Sequence, residues 1–270
     1  MSKKKSTGAT AAGGAANRRE QLRQQQEAEA KRQRTMRIIG IAAAVLAVAL
    51  IALVATVLIQ ENKNKSEQLS SAGRPANAAA DDTGIVVNPG KAKEGAPVLA
   101  VYQDYQCPAC KSVGMQLAPL LDPLVEKGEV SLEYRTMTFM EDNLGNDDST
   151  KPAVAAACAD QAGAYKAYHD AVYAKQPTSE VRGDDAYPDA LLRDELPASV
   201  GITGDKLTQF QSCFDEKTTE PFVETVNDKA AEAKVTSTPT YTVNGKKLEL
   251  ESVGQSSESL LKAIKDLAAS

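Results

Sequence analysis

The sequence predicts an α/β domain that contains a helical insertion and is preceded by a single transmembrane helix. First, the apolar run Val98–Tyr105 ends at Cys107-Pro-Ala-Cys110, and a helical pattern follows it. Second, a β-rich stretch near the C-terminus contains the hairpin signal Asn244-Gly245, and a long helical region separates the two strand regions. Third, the run Ile38–Ile59 is apolar and carries no charge.

Residues 1–37 form a basic tail on an otherwise acidic chain. They contain ten Lys/Arg and three Glu, whereas the whole chain has 31 Lys/Arg, 36 Asp/Glu and a formal net charge of −5. The tail has no apolar face, so we expect it to be disordered. Basic tails also occur in nucleic-acid-binding proteins, but the position of this one beside an apolar run explains its charge better as a topology signal. We therefore predict no nucleic-acid partner.

The run Ile38–Ile59 has the length of a transmembrane helix. At about 1.5 Å per residue it crosses a hydrocarbon core of about 30 Å. The basic excess before it predicts a cytoplasmic N-terminus and an extracytoplasmic domain on a single-pass membrane protein. The alternative is a cleaved signal peptide, with an apolar core of about 7–15 residues behind a short basic start. The longer run favours an uncleaved signal anchor, and the polar residues 60–82 after it predict a flexible tether.

Residues 83–149 predict a βαβ unit. The helix that follows Cys107 should end near Lys127-Gly128, where a basic residue precedes a glycine. A strand–helix–strand segment of this length predicts parallel pairing with a right-handed crossover. The acidic stretch Glu141–Thr150 is expected to be a solvated loop. The expected strands are Gly84–Asn88, Val98–Tyr105 and Val130–Met140.

Residues 150–234 predict a helical insertion. Its first helix is expected to begin near Pro152 and to continue through Tyr173. On this helix His169 shares a face with Tyr165 and Tyr173, which favours an aromatic packing stripe over a catalytic histidine. The other expected helices are Asp189–Leu196, Asp205–Glu216 and Glu220–Lys234.

Residues 235–270 return to β structure and complete the domain. Asn-Gly between two β-rich runs predicts a hairpin at Asn244-Gly245. Pro239 precedes the first of these runs, and since proline cannot donate to a sheet ladder, it belongs at a strand start or an edge. Ser257–Leu267 has apolar residues at helical spacing and predicts a final amphipathic helix.

The Cys107-Pro-Ala-Cys110 motif favours a redox-active cysteine pair. Cysteines separated by two residues lie one helical turn apart, close enough to bond. At a helix N-terminus the free amides and the dipole stabilise a thiolate, which makes Cys107 the acidic, exposed nucleophile and Cys110 the more buried resolving cysteine. A structural disulfide is one alternative. Another is a zinc site, which would take further ligands from Cys158, Cys213 and His169.

Cys158 and Cys213 predict a structural disulfide. The chain has four cysteines, an even number that fits two intramolecular pairs in an oxidising compartment. A bridge that closes a loop of this size stabilises a fold by about 4 kcal/mol on the chain-entropy estimate. The alternative is two buried free thiols.

Together these motifs resemble the DsbA-like thiol oxidoreductases of the thioredoxin superfamily, in particular the membrane-anchored exported forms of Gram-positive, high-GC bacteria. The resemblance covers about Gly84–Leu267, and it implies a thioredoxin-like fold with a helical insertion. The combination of a C-x-x-C motif, a helical insert, a Thr-Pro pair and a hairpin is specific in this order. The stretches that carry it are Asp104-Tyr-Gln-Cys-Pro-Ala-Cys110, Ala156-Ala-Cys-Ala159, Tyr168-His-Asp170 and Ser237-Thr-Pro-Thr240.

The resemblance implies roles for residues at the site. It places Thr238 and Pro239 beside Cys107, with a cis bond between them, so that the backbone of Thr238 meets an extended substrate. Pro108 and Ala109 are expected to contact the substrate as well. The implied function is the introduction of disulfides into exported cysteine-containing proteins, with reoxidation by a quinone-linked membrane partner of the DsbB or VKOR-like type. No bound cofactor and no metal are required.

Two departures from the family pattern affect the expected chemistry. Ala109 stands where many relatives carry a histidine between the cysteines, which predicts a milder oxidant. Val101 stands where many carry a buried acid, so Asp104, nearer in sequence, is either a local acid or a solvent-facing residue. A reductase or isomerase, for example in cytochrome maturation, is the alternative within the same fold. A non-catalytic extracellular binding or chaperone module is the alternative from another class.

Overall fold

The structure is a computed structural model that describes residues 73–183 and 186–270, together with Met36 and Leu53. The predicted basic tail, the predicted span Ile38–Ile59 and most of the predicted tether lie outside the described residues, apart from Met36 and Leu53 themselves. Within the described part of the chain, no helix is both long enough and apolar enough to cross a membrane.

A mixed five-stranded sheet forms the centre of the α/β part, with the strand order β1-β3-β2-β4-β5. β2 and β3 pair in parallel, from Val98 opposite Ser131 to Gln103 opposite Thr136, as the βαβ pattern predicted. The other neighbours are antiparallel. The strands are β1 Ile85–Val86, β2 Val98–Gln103, β3 Ser131–Thr136, β4 Thr240–Val243 and β5 Lys246–Lys247. β1, β2 and β3 are therefore all shorter than the sequence predicted.

Helix α1, Pro108–Glu126, makes the crossover from β2 to β3 and ends where the sequence predicted. Gly128 follows it with φ +67°, and a Cβ there would lie 2.1 Å from the backbone oxygen of Lys91, so only glycine fits without movement. The apolar face of α1 packs with the C-terminal helix, here α8, Ser257–Ala269, in one buried cluster. This cluster is the core of the sheet-containing part.

The predicted hairpin joins β4 to β5. Asn244 and Gly245 both have positive φ, 49° and 82°, as a type I′ turn requires. The Asn244 side chain also accepts a hydrogen bond from the backbone N–H of Val98 at 2.9 Å, which ties the turn to the start of β2. Pro239 directly precedes β4, the position that the missing N–H predicted.

The chain between β3 and β4 is mostly helical and forms a second core. In its main helix, α3, every residue from Ala153 to Ala159 is buried. The small alanine side chains let neighbouring helices approach α3 closely on all sides. α3 and α6 are joined through Cys158 and Cys213. The helices are α2 Met140–Leu144, α3 Thr150–Gln161, α4 Tyr165–Lys175, α5 Leu196–Ser199, α6 Asp205–Asp215 and α7 Glu220–Glu232, and a π-helical segment, Leu191–Glu195, leads into α5.

The expectation of one helix from Pro152 through Tyr173 was wrong. α3 ends at Gln161, and α4 begins at Tyr165 after a short turn. Gly163 in this turn has φ +78°, a conformation that ends a helix and that other residues rarely adopt. The single glycine in an otherwise helical pattern was the available signal.

The expectation of a solvated acidic loop at Glu141–Thr150 was also wrong. α2 occupies its first part, and Asp148 is fully buried. The Asp148 carboxylate pairs with Lys151 at 2.8 Å and accepts the backbone N–H of Ala186 at 2.8 Å. A buried carboxylate is tolerated when a cation and a donor compensate the loss of water.

The last ten residues of the predicted tether are packed rather than flexible. Arg74 donates to Asp82 at 2.6 Å and to the carbonyl of Ala79 at 2.7 Å, which closes a compact turn. Asn77 donates its backbone N–H and its side-chain amide to Asp160 on α3, both at 2.8 Å. Polar contacts hold this segment in place, and polar contacts produce no apolar periodicity in a sequence. The polar composition of the segment therefore indicated a flexible linker.

Candidate active site

Cys107 is the N-cap of α1, and Pro108 is the first helical residue. Proline fits there because an N–H at that position would have no partner within the helix. The Cys107 backbone is extended, with φ −79° and ψ 113°, and its Sγ accepts the backbone N–H of Cys110 at 3.4 Å. The sulfur therefore lies at the positive end of the helix dipole.

Thr238 and Pro239 lie opposite the cysteines, and the bond between them is cis. β4, which follows Pro239, pairs with β2, the strand before the cysteines, so sheet pairing brings the two segments together. The Cys107 thiol donates to the backbone oxygen of Thr238 at 3.5 Å. Both Cys107 and Cys110 are unbonded thiols in this structure.

The burial of the motif differs from the expectation of an exposed nucleophile. Cys107 is only 6% exposed, close to the 4% of Cys110. The exposed residues of the motif are instead Pro108 and Ala109. The Thr238 backbone and the insertion cover Cys107, which a reading of the helix start alone could not anticipate.

The two thiols have opposite acidities. The hydrogen bond with the Cys110 side chain, assisted by the Thr238 side chain and the backbone N–H groups of Cys110 and Ala109, outweighs burial and lowers the pKa of Cys107 to about 6. Burial and the neighbouring Cys107 raise the pKa of Cys110 well above its ordinary value. At neutral pH the pair therefore consists of a Cys107 thiolate and a Cys110 thiol.

Asp104 does not face solvent, although the sequence left that option open. Its side chain is fully buried and accepts the Ser149 hydroxyl at 2.6 Å, the Gln106 N–H at 2.9 Å and the Met140 N–H at 3.2 Å. Burial raises the pKa of Asp104 to about 7, against the effect of these three donors. Val101, by contrast, is a buried apolar residue of β2, so the ionisable acid of this site is Asp104.

The structure also shows site residues that the sequence analysis missed. Gln176 and Tyr187, in the insertion, donate side-chain hydrogen bonds to backbone carbonyls of the segment that carries Cys107. They lie about 70 and 80 positions away from that segment, and no motif marks them. Asp104 had a signal, because it follows the carboxyl end of a parallel strand, where ligands and reactive groups collect.

His169 is a packed histidine, as its aromatic surroundings predicted. Its ring stacks on Tyr134 with the ring centroids 4.2 Å apart. Its Nδ1 lies 3.2 Å from the Gln103 amide nitrogen and 3.0 Å from the Tyr105 hydroxyl. An amide nitrogen can only donate, so Nδ1 accepts and the ring is neutral. Burial lowers the pKa of His169 well below its ordinary value, in agreement with that state.

Cys158 and Cys213 form a disulfide in the insertion. The S–S distance is 2.00 Å, and the Cα atoms are 5.8 Å apart. The two residues are 1% and 6% exposed. With their sulfurs bonded to each other, neither can complete a zinc site with Cys107 and Cys110.

A cavity of about 520 Å³ lies between α1 and α4, beside the active pair. Cys110, Pro239 and His169 are among the residues that line it, and Lys166 and Asp170, paired at 2.6 Å, line it too. Cys107 is not part of this lining. The Cys110 thiol therefore borders a space large enough for water, which can carry protons to and from it.

Comparison with known proteins agrees with this geometry. The thioredoxin family model matches residues 90–266. A probable disulfide bond formation protein D of Bacillus cereus is 24% identical over 212 residues, which is 77% of this chain and 87% of the relative.

Two solved structures extend this comparison. Reduced DsbA of Mycobacterium tuberculosis is 27% identical and covers 69% of this chain and 98% of its own, with a TM-score of 0.54. BdbD of Bacillus subtilis is 21% identical and shows the same fold over 74% of this chain and 98% of its own, with a TM-score of 0.55.

The family match covers well over half of the chain, and it includes the C-x-x-C motif, the insertion and the Thr-Pro pair. The fold is a thioredoxin-like α/β fold with a mixed sheet and a helical insertion. The chain belongs to the thioredoxin family and is a DsbA-like thiol-disulfide oxidoreductase.

Proposed function

We propose that this oxidoreductase introduces disulfide bonds into exported proteins while it is tethered to the outer face of the cell membrane. The lowered pKa of Cys107 at the N-terminus of α1 is the observation that supports oxidation of substrate thiols rather than reduction of substrate disulfides. A stabilised thiolate favours the dithiol form of the enzyme, and it therefore makes the Cys107–Cys110 disulfide a stronger oxidant.

The reaction consists of two thiol–disulfide exchanges. In the oxidised enzyme a substrate thiolate attacks Cys107 Sγ, a mixed disulfide forms, and Cys110 leaves as a thiolate that takes up a proton. A second substrate thiolate then attacks the substrate sulfur of the mixed disulfide, and Cys107 leaves as a thiolate. The substrate loses two electrons and two protons. The enzyme gains the two electrons and one proton, on Cys110, and the other proton goes to solvent. The low pKa of Cys107 makes it a good leaving group in the second exchange.

Attack at Cys107 rather than at Cys110 is supported by what surrounds each sulfur. Cys107 lies beside the exposed pair Pro108 and Ala109 and beside the Thr238 backbone. An extended substrate could pair with that backbone as an added strand while its cysteine reaches Cys107. Cys110 follows Cys107 in the first turn of α1, is 4% exposed, and borders the space between α1 and α4 instead.

The membrane tether is proposed from Ile38–Ile59 and from the basic residues before it. This topology places the cysteines outside the cytoplasm, where disulfides persist. Because each cycle leaves Cys107 and Cys110 reduced, a partner must remove two electrons. We propose a quinone-linked membrane protein of the DsbB or VKOR-like type for that step.

The decisive experiment combines trapping with a redox titration of the full-length protein in detergent. Cys110→Ser should leave a nucleophile that cannot be resolved, so mixed disulfides with exported proteins should accumulate, whereas Cys107→Ser should form none. Equilibration with glutathione should give a midpoint well above that of thioredoxin, about −270 mV. A midpoint at or below that value would favour the reductase alternative. Normal cellular function with both cysteines replaced would favour a non-catalytic module.

A further inference from the structure

The segment Asp104–Cys107 joins β2 to α1 without regular secondary structure, and it is buried. Its backbone carbonyls therefore need partners from elsewhere, since an unpaired buried carbonyl costs about 1–3 kcal/mol. The Asp104 carbonyl accepts the N–H of Cys107 at 3.0 Å and the hydroxyl of Tyr173 at 3.1 Å. The Tyr105 carbonyl takes its partners from the insertion, and the Cys107 carbonyl accepts the N–H of Lys111 within α1 at 3.4 Å as well as a donor from the insertion.

Gln176 serves both of these carbonyls with one side chain. Its amide nitrogen donates to Tyr105 O at 2.7 Å and to Cys107 O at 3.0 Å, and the residue is 6% exposed. Gln176 is the C-cap of α4, so the end of that helix fixes its backbone. Its own carbonyl accepts the ammonium group of Lys111 at 3.2 Å. Gln176 thus contacts three residues around the start of α1: Tyr105 before the C-x-x-C motif, Cys107 within it and Lys111 directly after it.

The bond to the Cys107 carbonyl bears on the chemistry of the sulfur. Cys107 is the N-cap, and its ψ of 113° sets the angle between its own side chain and the first turn of α1. Rotation about ψ moves the carbonyl and shifts Sγ relative to the Cys110 N–H, which lies 3.4 Å away. A donor that holds the carbonyl therefore also holds the sulfur against the amides that stabilise its thiolate.

We propose that Gln176 is a positioning residue that holds Cys107 in its N-cap geometry and so sets the acidity and the redox strength of the active pair. It touches neither sulfur and acts through the Cys107 carbonyl. The insertion thereby tunes the cysteines as well as covering them. This inference rests on Cys107 being the attacking cysteine.

Tyr187 provides the matched control. It is fully buried, and its hydroxyl donates to Tyr105 O at 2.7 Å. It comes from the same insertion and serves the same segment, but the structure gives it no hydrogen bond to Cys107. Tyr187→Phe removes this bond alone and leaves the Tyr105 carbonyl with its partner in Gln176. It should therefore lower stability without disturbing the N-cap.

The test compares Gln176→Met, which keeps the length of the side chain but has no donor, with Tyr187→Phe in the full-length reduced protein. The readouts are thiolate absorbance against pH, the equilibrium with glutathione, and the thermal midpoint. Gln176→Met should raise the pKa of Cys107 by about one unit or more and shift the glutathione equilibrium about tenfold toward the disulfide. Tyr187→Phe should lower the thermal midpoint and leave the other two quantities unchanged.

Two results would overturn the inference. One is a fall in the thermal midpoint of Gln176→Met with an unmoved thiolate titration, which would make Gln176 merely structural. The other is an equal shift in Tyr187→Phe. If Gln176→Met does not fold, Gln176→Ala, which also lacks the donor, should shift the titration in the same direction, and no shift would reject the idea. A parent protein without an acidic thiolate would reject the nucleophile assignment instead.

Discussion

At the scale of single residues, two cysteines three positions apart have opposite acidities because their surroundings differ. The Cys110 side chain and the N–H groups at the start of α1 donate hydrogen bonds to Cys107 and lower its pKa, whereas burial and the neighbouring Cys107 raise the pKa of Cys110. Ala109 between them contributes a backbone N–H but no charge. The low pKa of Cys107 therefore comes from the Cys110 thiol and from backbone N–H groups rather than from a neighbouring cation.

This account predicts the effect of a cation at position 109. Ala109→His should lower the pKa of Cys107 below about 6 and raise the reduction potential together, because an imidazolium stabilises the thiolate and so the dithiol form. Thiolate absorbance against pH and a glutathione titration measure the two quantities. Ala109→Gln adds comparable bulk without charge and should move neither. If histidine also moves neither, electrostatic stabilisation at the helix terminus is not what sets this acidity.

Asp104 predicts a pH dependence of stability. Burial raises its pKa from 3.8 to about 7 in the folded protein, so the folded state binds the proton more tightly than the unfolded state. Protonated Asp104 therefore favours the folded state at low pH, and the free energy of unfolding falls as the pH rises toward 7. The Ser149 hydroxyl and the N–H groups of Gln106 and Met140 donate to the carboxyl and lower its pKa, whereas the Cys107 thiolate raises it further.

Asp104→Asn should remove this dependence. In the oxidised protein, where Cys107 does not titrate, the variant should gain about 2–3 kcal/mol relative to the parent between pH 5 and pH 8. Urea unfolding of both proteins at the two pH values measures the difference. A constant difference at both pH values would show that Asp104 is ionised throughout.

At the scale of elements, the insertion is held together by helix contacts and by one covalent link. The Cys158–Cys213 bond joins α3 to α6, and both cysteines are buried in the insertion core. The active pair, by contrast, lies at a helix start beside exposed residues. The two pairs should therefore respond differently to reductants.

Mild reduction followed by alkylation should label Cys107 and Cys110 alone, because the low pKa of Cys107 makes it a good leaving group for an attacking thiolate and so makes the active disulfide the easier one to reduce. Replacing both bridge cysteines with alanine should cost about 2–5 kcal/mol of stability and leave the thiolate titration of Cys107 in place. Mass spectrometry and urea unfolding measure these outcomes. Equal labelling of all four cysteines would contradict the protected bridge.

At the scale of the whole described unit, two cores meet at the active-site segment. One core lies between the sheet, α1 and α8, and the other lies within the insertion. The segment at residues 73–82 packs on the insertion as well, because Asn77 donates two hydrogen bonds to the carboxylate of Asp160 on α3. The catalytic domain therefore begins before the position that the composition of the tether indicated.

A truncation series tests that boundary. A chain that begins at residue 83 loses both hydrogen bonds to the buried Asp160 carboxylate, each worth about 1.5–3 kcal/mol, whereas one that begins at residue 73 keeps them. The shorter chain should have the lower thermal midpoint. Asn77→Ala in the longer chain removes only the side-chain bond, so it should reproduce part of the loss. Equal midpoints for the two truncations would mean that this segment adds nothing to the fold.

The sequence alone determined the features that depend on neighbouring residues. The helix start at Pro108, the hairpin at Asn244-Gly245 and the parallel βαβ unit follow from proline, from positive φ and from hydrophobic period, and each is found where it was predicted. The redox motif was equally local, because the spacing of Cys107 and Cys110 is a property of one helical turn.

Only the tertiary structure decided what surrounds the reactive sulfur. The insertion packs on Cys107 and Asp104, which buries both residues and raises the pKa of Asp104. It also provides Gln176, about 70 positions away in sequence, which donates a hydrogen bond to the Cys107 carbonyl. Desolvation and hydrogen bonding act through space over a few ångströms, so they cannot be predicted from the distance between residues in the sequence. Local periodicity could identify the reacting cysteines, but their acidity was set by groups that only packing brings into contact.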